Sequence, residues 1–175
     1  KVKGCEGPTA PAKFTIKANP SVPVITFQPN ICEYDAAPTL VAGGTNLQWY
    51  DTDQSTFLVA GDTYTPTDMS VGLHKYYVSQ TDNGCEGPKN AISYTVYRKP
   101  DMPTVTNARV CEGASEIPSL STNLIGDEWY AEVSAITKLG TGYTYTPNAS
   151  DVKRNDLPFY VRRNLNGCLS DVATA

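Results

Sequence analysis

The amino-acid sequence predicts an all-β protein built from tandem antiparallel β-sandwiches. Three observations carry that expectation: a composition suited to short strands and turns, a succession of short β-branched and aromatic segments, and landmarks that return after about 80 residues. Of the 175 residues, 40% are hydrophobic and 18% charged, which is enough apolar material for packed cores and too little charge for a disordered chain. The 11 Tyr, 13 Gly and 13 Pro, with many Thr and Val, favour pleated half-buried strands separated by turns. Helices should be scarce.

The repeat comes first because it sets the frame for everything else. Cys32-Glu33 matches Cys111-Glu112, Gln48-Trp49-Tyr50 matches Glu128-Trp129-Tyr130, and Thr63-Tyr64-Thr65-Pro66 matches Thr144-Tyr145-Thr146-Pro147. Further on, Tyr76-Tyr77-Val78 matches Phe159-Tyr160-Val161 and Asn83-Gly84-Cys85 matches Asn166-Gly167-Cys168. Backwards, the same offset pairs Gly4-Cys5-Glu6-Gly7-Pro8 with Gly84-Cys85-Glu86-Gly87-Pro88, and Phe14-Thr15-Ile16 with Tyr94-Thr95-Val96. Residues 1–19 are therefore expected to be the tail of a preceding repeat, 20–99 a complete repeat, and 100–175 a second repeat lacking its last strand. Pro20-Ser21-Val22-Pro23 and Pro100-Asp101-Met102-Pro103 read as short, stiff linkers.

Within the first repeat, Val24 to Phe27, Pro38 to Ala42, Leu47 to Tyr50, Phe57 to Ala60, Thr63 to Thr65, Lys75 to Gln80 and Ile92 to Tyr97 read as strands bounded by Gly, Pro, Asn or Asp. Their order and spacing fit an immunoglobulin-like sandwich, in which a Trp on the third strand fills the space between the sheets. Trp49 and Trp129 are the core candidates. Asp82-Asn83-Gly84 and Asn166-Gly167 carry the residues that tolerate positive φ in a tight turn, and predict hairpins between the last two strands.

The 5 cysteines leave one unpaired. Since Cys5 falls in the leading remnant, the frame predicts one bridge within each repeat, Cys32 with Cys85 and Cys111 with Cys168, in an oxidising compartment. The alternative joins Cys5 to Cys32 and Cys85 to Cys111 and leaves Cys168 free. It is disfavoured because Cys85 lies at the pole where the chain enters its sandwich and Cys111 at the far pole of the next. Metal binding finds no support in a chain with 1 His and no C-x-x-C, so neither a metal nor a cofactor is expected.

A net charge of −4 gives no basic footprint for nucleic acid, and no apolar run approaches the roughly 20 residues of a spanning helix. Neither nucleic acid nor membrane insertion is expected. No Ser or Cys sits in a nucleophile motif, and His74, which has no counterpart in Leu157-Pro158-Phe159, reads as a surface residue, so catalysis is not expected. Asp51-Thr52-Asp53-Gln54-Ser55 alternates oxygen ligands as a calcium loop does but lacks the glycine and the later Glu, and reads as a polar turn. Tyr50, Tyr64, Tyr76, Tyr77 and Tyr130 would support glycan binding only if several rings share an exposed surface.

In order, Cys32-Glu33, Trp49-Tyr50-Asp51, Thr63 to Pro66, Tyr76 to Gly87 and Tyr94 to Val96 resemble the immunoglobulin-like repeats of large secreted proteins of the Bacteroidetes. The second repeat departs from that pattern at Ala131-Glu132 and at Cys168-Leu169-Ser170. Such repeats occur in cell-surface adhesins, gliding-associated filaments and multidomain enzymes exported by the type IX secretion route. The resemblance implies a secreted, cell-surface location and a non-catalytic stalk or cell-adhesion array, whose partners are the neighbouring repeats of the same chain, with surface glycans or another protein as further candidates. A glycan-binding accessory module of an exported enzyme is the alternative. A filament is a third, in which residues 12–18 of one molecule complete the sandwich that ends at Ala175 of the next.

Overall fold

A computed structural model describes residues 8–26, 30–111, 114–148 and 158–175. Among these, every helix or strand is a strand. The chain divides into two compact units, one formed by Lys1–Phe27, Thr39–Tyr64 and Lys75–Ile92, the other by Gln28–Pro38, Thr65–His74 and Ser93–Ala175.

From Val24 to Tyr97 the strands are β1 (Val24–Ile25), β2 (Ile31–Cys32), β3 (Leu40–Gly43), β4 (Leu47–Tyr50), β5 (Phe57–Ala60), β6 (Thr63–Tyr64), β7 (Gly72–Asp82), β8 (Cys85–Glu86) and β9 (Asn90–Tyr97). One sheet has the order β1-β3-β6 and the other β2-β9-β7-β4-β5, with β8 beside β7. Two strands were not expected, β2 and β8. The Asn83-Gly84 turn does make a hairpin, with φ of 51° and 80°, but its return strand is the two-residue β8 and not the last strand β9. The pairing of β2 with β9 is parallel, Ile31 facing Val96 and Cys32 facing Tyr97.

Alternation places every second residue inside. Ile92, Tyr94 and Val96 of β9 are buried, as are Tyr76 and Val78 of β7. Trp49 on β4 is wholly buried; its ring lies 5.9 Å from that of Tyr64 on β6, and its indole N–H donates to the Gly61 carbonyl at 2.8 Å. Tyr64 continues to Tyr76 at 5.1 Å, so an aromatic chain crosses between the two sheets.

The remaining strands are β10 (Val105–Thr106), β11 (Leu120–Thr122), β12 (Asp127–Tyr130), β13 (Lys138–Thr141), β14 (Thr144–Tyr145), β15 (Tyr160–Leu165), β16 (Cys168–Leu169) and β17 (Ala173–Thr174). They form a sheet β10-β11-β14 and a second sheet β13-β12-β15-β16, with β17 also on β15. Leu120, Trp129, Phe159, Val161 and Ala173 make the core. The first sandwich is repeated in detail: Trp129 is wholly buried, its N–H donates to Gly142 at 3.0 Å, and its ring stacks on Tyr145 at 5.8 Å, which in turn meets the tilted Phe159 ring at 5.4 Å. Both Trp residues therefore fill the core positions expected of them. Near the end of the chain β17 lies antiparallel to β15, Ala173 facing Val161 and Thr174 facing Tyr160.

Candidate functional site

The one covalent crosslink among the described residues joins Cys32 to Cys168, with Cα atoms 5.5 Å apart at a sequence separation of 136. It replaces both expected pairs. Cys85 and Cys111 are free thiols, the first half-buried and the second exposed; Cys5 lies outside the described residues. The reason is one of strand polarity. Cys32 faces Tyr97 at the end of β9, whereas Cys85 precedes the start of β9 at Asn90. At about 3.3 Å per residue the length of β9 alone sets the two thiols more than about 20 Å apart, and a bridge spans only about 5–7 Å between Cα atoms. The thiol that reaches Cys32 instead follows the Asn166-Gly167 turn, where φ is 55° and 85° and Cys168 pairs with Leu165.

Short polar contacts hold the surroundings of the bridge. The Cys32 amide donates to Asp35 Oδ2 at 2.9 Å and the Asp35 amide donates back to the Cys32 carbonyl at 3.0 Å, closing a tight turn. Glu33 donates its amide to Tyr97 and accepts the Lys99 amide at 3.2 Å, while Lys99 Nζ pairs with Asp171 at 2.7 Å. Tyr34 and Asp35 line an open cleft beside Gly167. Tyr34 is 85% exposed and its φ is 74°, in the left-handed region that a residue with a Cβ rarely adopts.

The tyrosines make no shared exposed platform. Tyr50, Tyr76 and Tyr130 are buried, and Tyr64 and Tyr77 are half-buried. Tyr50 is engaged by its own fold: its hydroxyl donates to Glu86 Oε1 at 2.8 Å and lies 2.8 Å from Gln48 Oε1, and Lys89 Nζ sits 3.5 Å from its ring centre. Ser79 also donates to Glu86, at 2.6 Å. The Ser79 and Tyr50 bonds hold the Glu86 carboxyl below the usual range, while burial and that carboxylate push the Tyr50 phenol up. The second repeat answers with Tyr130 on Glu128 at 2.6 Å, Lys138 on Glu128 at 2.8 Å and Arg162 over the Tyr130 ring. These clusters brace strands.

His74 is buried at 9% exposure and not on the surface as expected; it stacks on Tyr94 at 5.0 Å and its Nε2 meets the Ser70 carbonyl at 2.7 Å. Asp53 accepts the Ser55 and Thr56 amides at 2.8 Å and the Thr56 hydroxyl at 2.6 Å, which pulls its carboxyl down and makes the expected polar turn. Sequence reading missed a buried ion pair: Arg163 donates through Nε to Asp127 Oδ1 at 2.9 Å and through Nη2 to Oδ2 at 3.1 Å. Its signal was present, because Asp127 and Arg163 replace Leu47 and Gln80, and in each repeat the two residues are cross-strand partners. No helix among the described residues is long and apolar enough to cross a membrane.

The sandwich around Trp49 is the stretch that known families describe. Residues 20–97 match the model of a family described as Ig-like domain, CHU_C associated. No curated protein matches the chain. With this Ig-like match, the strand order of the two pairs of sheets and the paired Trp cores, the fold is an all-β immunoglobulin-like sandwich. What sets the bridge apart is its position. Cys32 lies within the Ig-like match and Cys168 lies beyond its last residue.

Proposed function

We propose that this chain is a non-catalytic tandem segment of an extracellular, cell-surface protein, in which Ig-like repeats at 20–99 and 100–175, led by the remnant 1–19, serve as a stalk or adhesin array. The observation that carries this reading is the Cys32–Cys168 bridge, which ties one repeat to the next across the Pro100–Pro103 linker. Such a bond persists in an oxidising compartment. In the chain-entropy model a closed loop of this length removes about 5 kcal/mol of unfolded-state freedom, shared by both sandwiches. A spacer under tension gains from that arrangement, because force entering at Cys32 leaves at Cys168 without being carried by the backbone between them.

The Ig-like match supports the module, and the internal engagement of Tyr50, Tyr76 and Tyr130 removes the aromatic surface on which glycan binding rested. Residues 12–18 form no strand in the single chain, so strand exchange rests on sequence alone. Single-molecule stretching of the whole chain tests the stalk. With the bridge intact, extension should stop at the residues outside the loop. After reduction the chain should lengthen by about 450 Å, the span of 136 released residues less their folded separation. Equal extension before and after reduction would overturn the reading.

A further inference from the structure

The two free thiols stand where the two bonded ones stand. Cys85 follows the Asn83-Gly84 turn and pairs with Asp82, as Cys168 follows Asn166-Gly167 and pairs with Leu165. The Ala114 amide donates to the Cys111 carbonyl at 3.1 Å, as the Asp35 amide donates to the Cys32 carbonyl at 3.0 Å. The incoming linkers are gripped alike: Gln80 Nε2 donates to the Ser21 carbonyl at 2.7 Å, and Arg163 Nη1 to the Asp101 carbonyl at 3.4 Å. Gly87 allows the first approach, since a Cβ there would lie 2.8 Å from the Pro20 carbonyl.

The segment ahead of the linker supplies a further observation. The Lys17 amine donates to the Asn83 carbonyl at the Cys85 turn. In the repeat frame Lys17 stands at the place of Tyr97, and Tyr97 is the cross-strand partner of Cys32. A sandwich whose last strand ends at Lys17 therefore brings its own counterpart of Cys32 to Cys85.

We propose that Cys85 and Cys111 are the reciprocal halves of further staples of the same kind. Cys85 takes a cysteine held like Cys32 by an Ig-like repeat ahead of it, and Cys111 takes one held like Cys168 by an Ig-like repeat behind it. This inference rests on the tandem-array reading above. A second copy of the chain carries both halves and serves as the probe, with oxidised glutathione as the oxidant. The Cys111 thiolate attacks glutathione disulfide, giving a mixed disulfide and one glutathione thiolate. The Cys85 thiolate of a second molecule then attacks the Cys111 sulfur and releases the other glutathione. Two protein thiols are oxidised, one glutathione disulfide is reduced, and the two protons pass to the glutathione thiolates.

The experiment uses the full chain carrying Cys5→Ser, at about millimolar concentration to match that of linked domains, in glutathione buffer, followed by non-reducing electrophoresis and peptide mapping. The expected product is a head-to-tail ladder in which Cys85–Cys111 bonds far exceed the about half that random pairing of two thiols produces. Chains that also carry Cys85→Ser or Cys111→Ser should stay largely monomeric alone and form one mixed dimer when combined. Random pairing, or no bridging while Cys32–Cys168 is intact, overturns the inference and leaves the array reading standing. Absence of the Cys32–Cys168 peptide in the untreated chain overturns the array reading itself.

Discussion

Arg163 and Asp127 face each other in register across β15 and β12 and join through two parallel hydrogen bonds, with the Asp127 carboxylate fully enclosed. The first repeat fills the same pair of positions with Gln80 and Leu47. Two solutions to one site give a direct comparison. Asp127→Ala leaves a buried guanidinium with Asn123 as its remaining side-chain partner, and should cost about 3–5 kcal/mol in urea unfolding followed by Trp129 fluorescence. The double change Asp127→Leu with Arg163→Gln copies the first repeat and should be far milder, within about 1–2 kcal/mol of the parent. A double variant as unstable as Asp127→Ala would show that the site does not interchange between repeats.

The bridge is open to a chemical check. Cys32→Ser and Cys168→Ser should each lower the unfolding midpoint, by up to about 5 kcal/mol in free energy, and the two together should cost no more than either alone. Under non-reducing digestion the parent should yield one peptide pair containing Cys32 and Cys168. A pair joining Cys32 to Cys85 would refute the connectivity.

Trp49→Phe should cost about 2–4 kcal/mol, because it removes the bond to the Gly61 carbonyl as well as ring volume from a closed core. Trp129→Phe should cost about the same, through Gly142. Calorimetry of the two variants reads both losses. A difference greater than about 2 kcal/mol would mean that the two sandwiches do not use the residue alike.

Glu128 and Tyr130 set opposite limits on the pH range. Burial pushes the Glu128 carboxyl up, but the bonds from Lys138 and Tyr130 outweigh it and leave it below its ordinary value. A lowered folded value means that stability is present above the unfolded carboxyl value, about 4.3, and is lost as pH falls through the folded one. Tyr130 is raised, by burial first and by Glu128 next, so its contribution holds below about pH 10 and fades as the solution becomes more alkaline. Glu128→Gln should flatten the acid limb of a stability-against-pH curve. An unchanged acid limb would remove Glu128 from that role.

Much of the fold was readable from residue pattern. β4 and β5 fall on the ranges that alternation and flanking turn residues indicate, and both Trp cores follow from one third-strand Trp per repeat. Boundaries were harder, since β7 runs from Gly72 to Asp82 where the sequence marks only Lys75 to Gln80, and two-residue strands such as β2 leave no periodicity to detect. Cysteine pairing depended on which end of β9 Cys32 would join, a question of three-dimensional polarity that spacing does not answer. His74 looked like a surface residue because its cover, the Tyr94 ring, lies a strand away. The Asp127–Arg163 pair was legible in principle, as two linked departures from an otherwise faithful repeat.

The bridge also changes what a cut does to this molecule. Every peptide bond between Cys32 and Cys168 lies on a closed covalent ring, including those of the turn at Asn83-Gly84 and of the loop that exposes Val133 and Ile136. Hydrolysis of any one of them opens the ring without parting the two ends, which remain joined through sulfur. A single cut in either loop would therefore release no fragment until a reductant or a second cut arrived. Continuity from one end of this stretch to the other is held by two routes, and the loss of either leaves it whole.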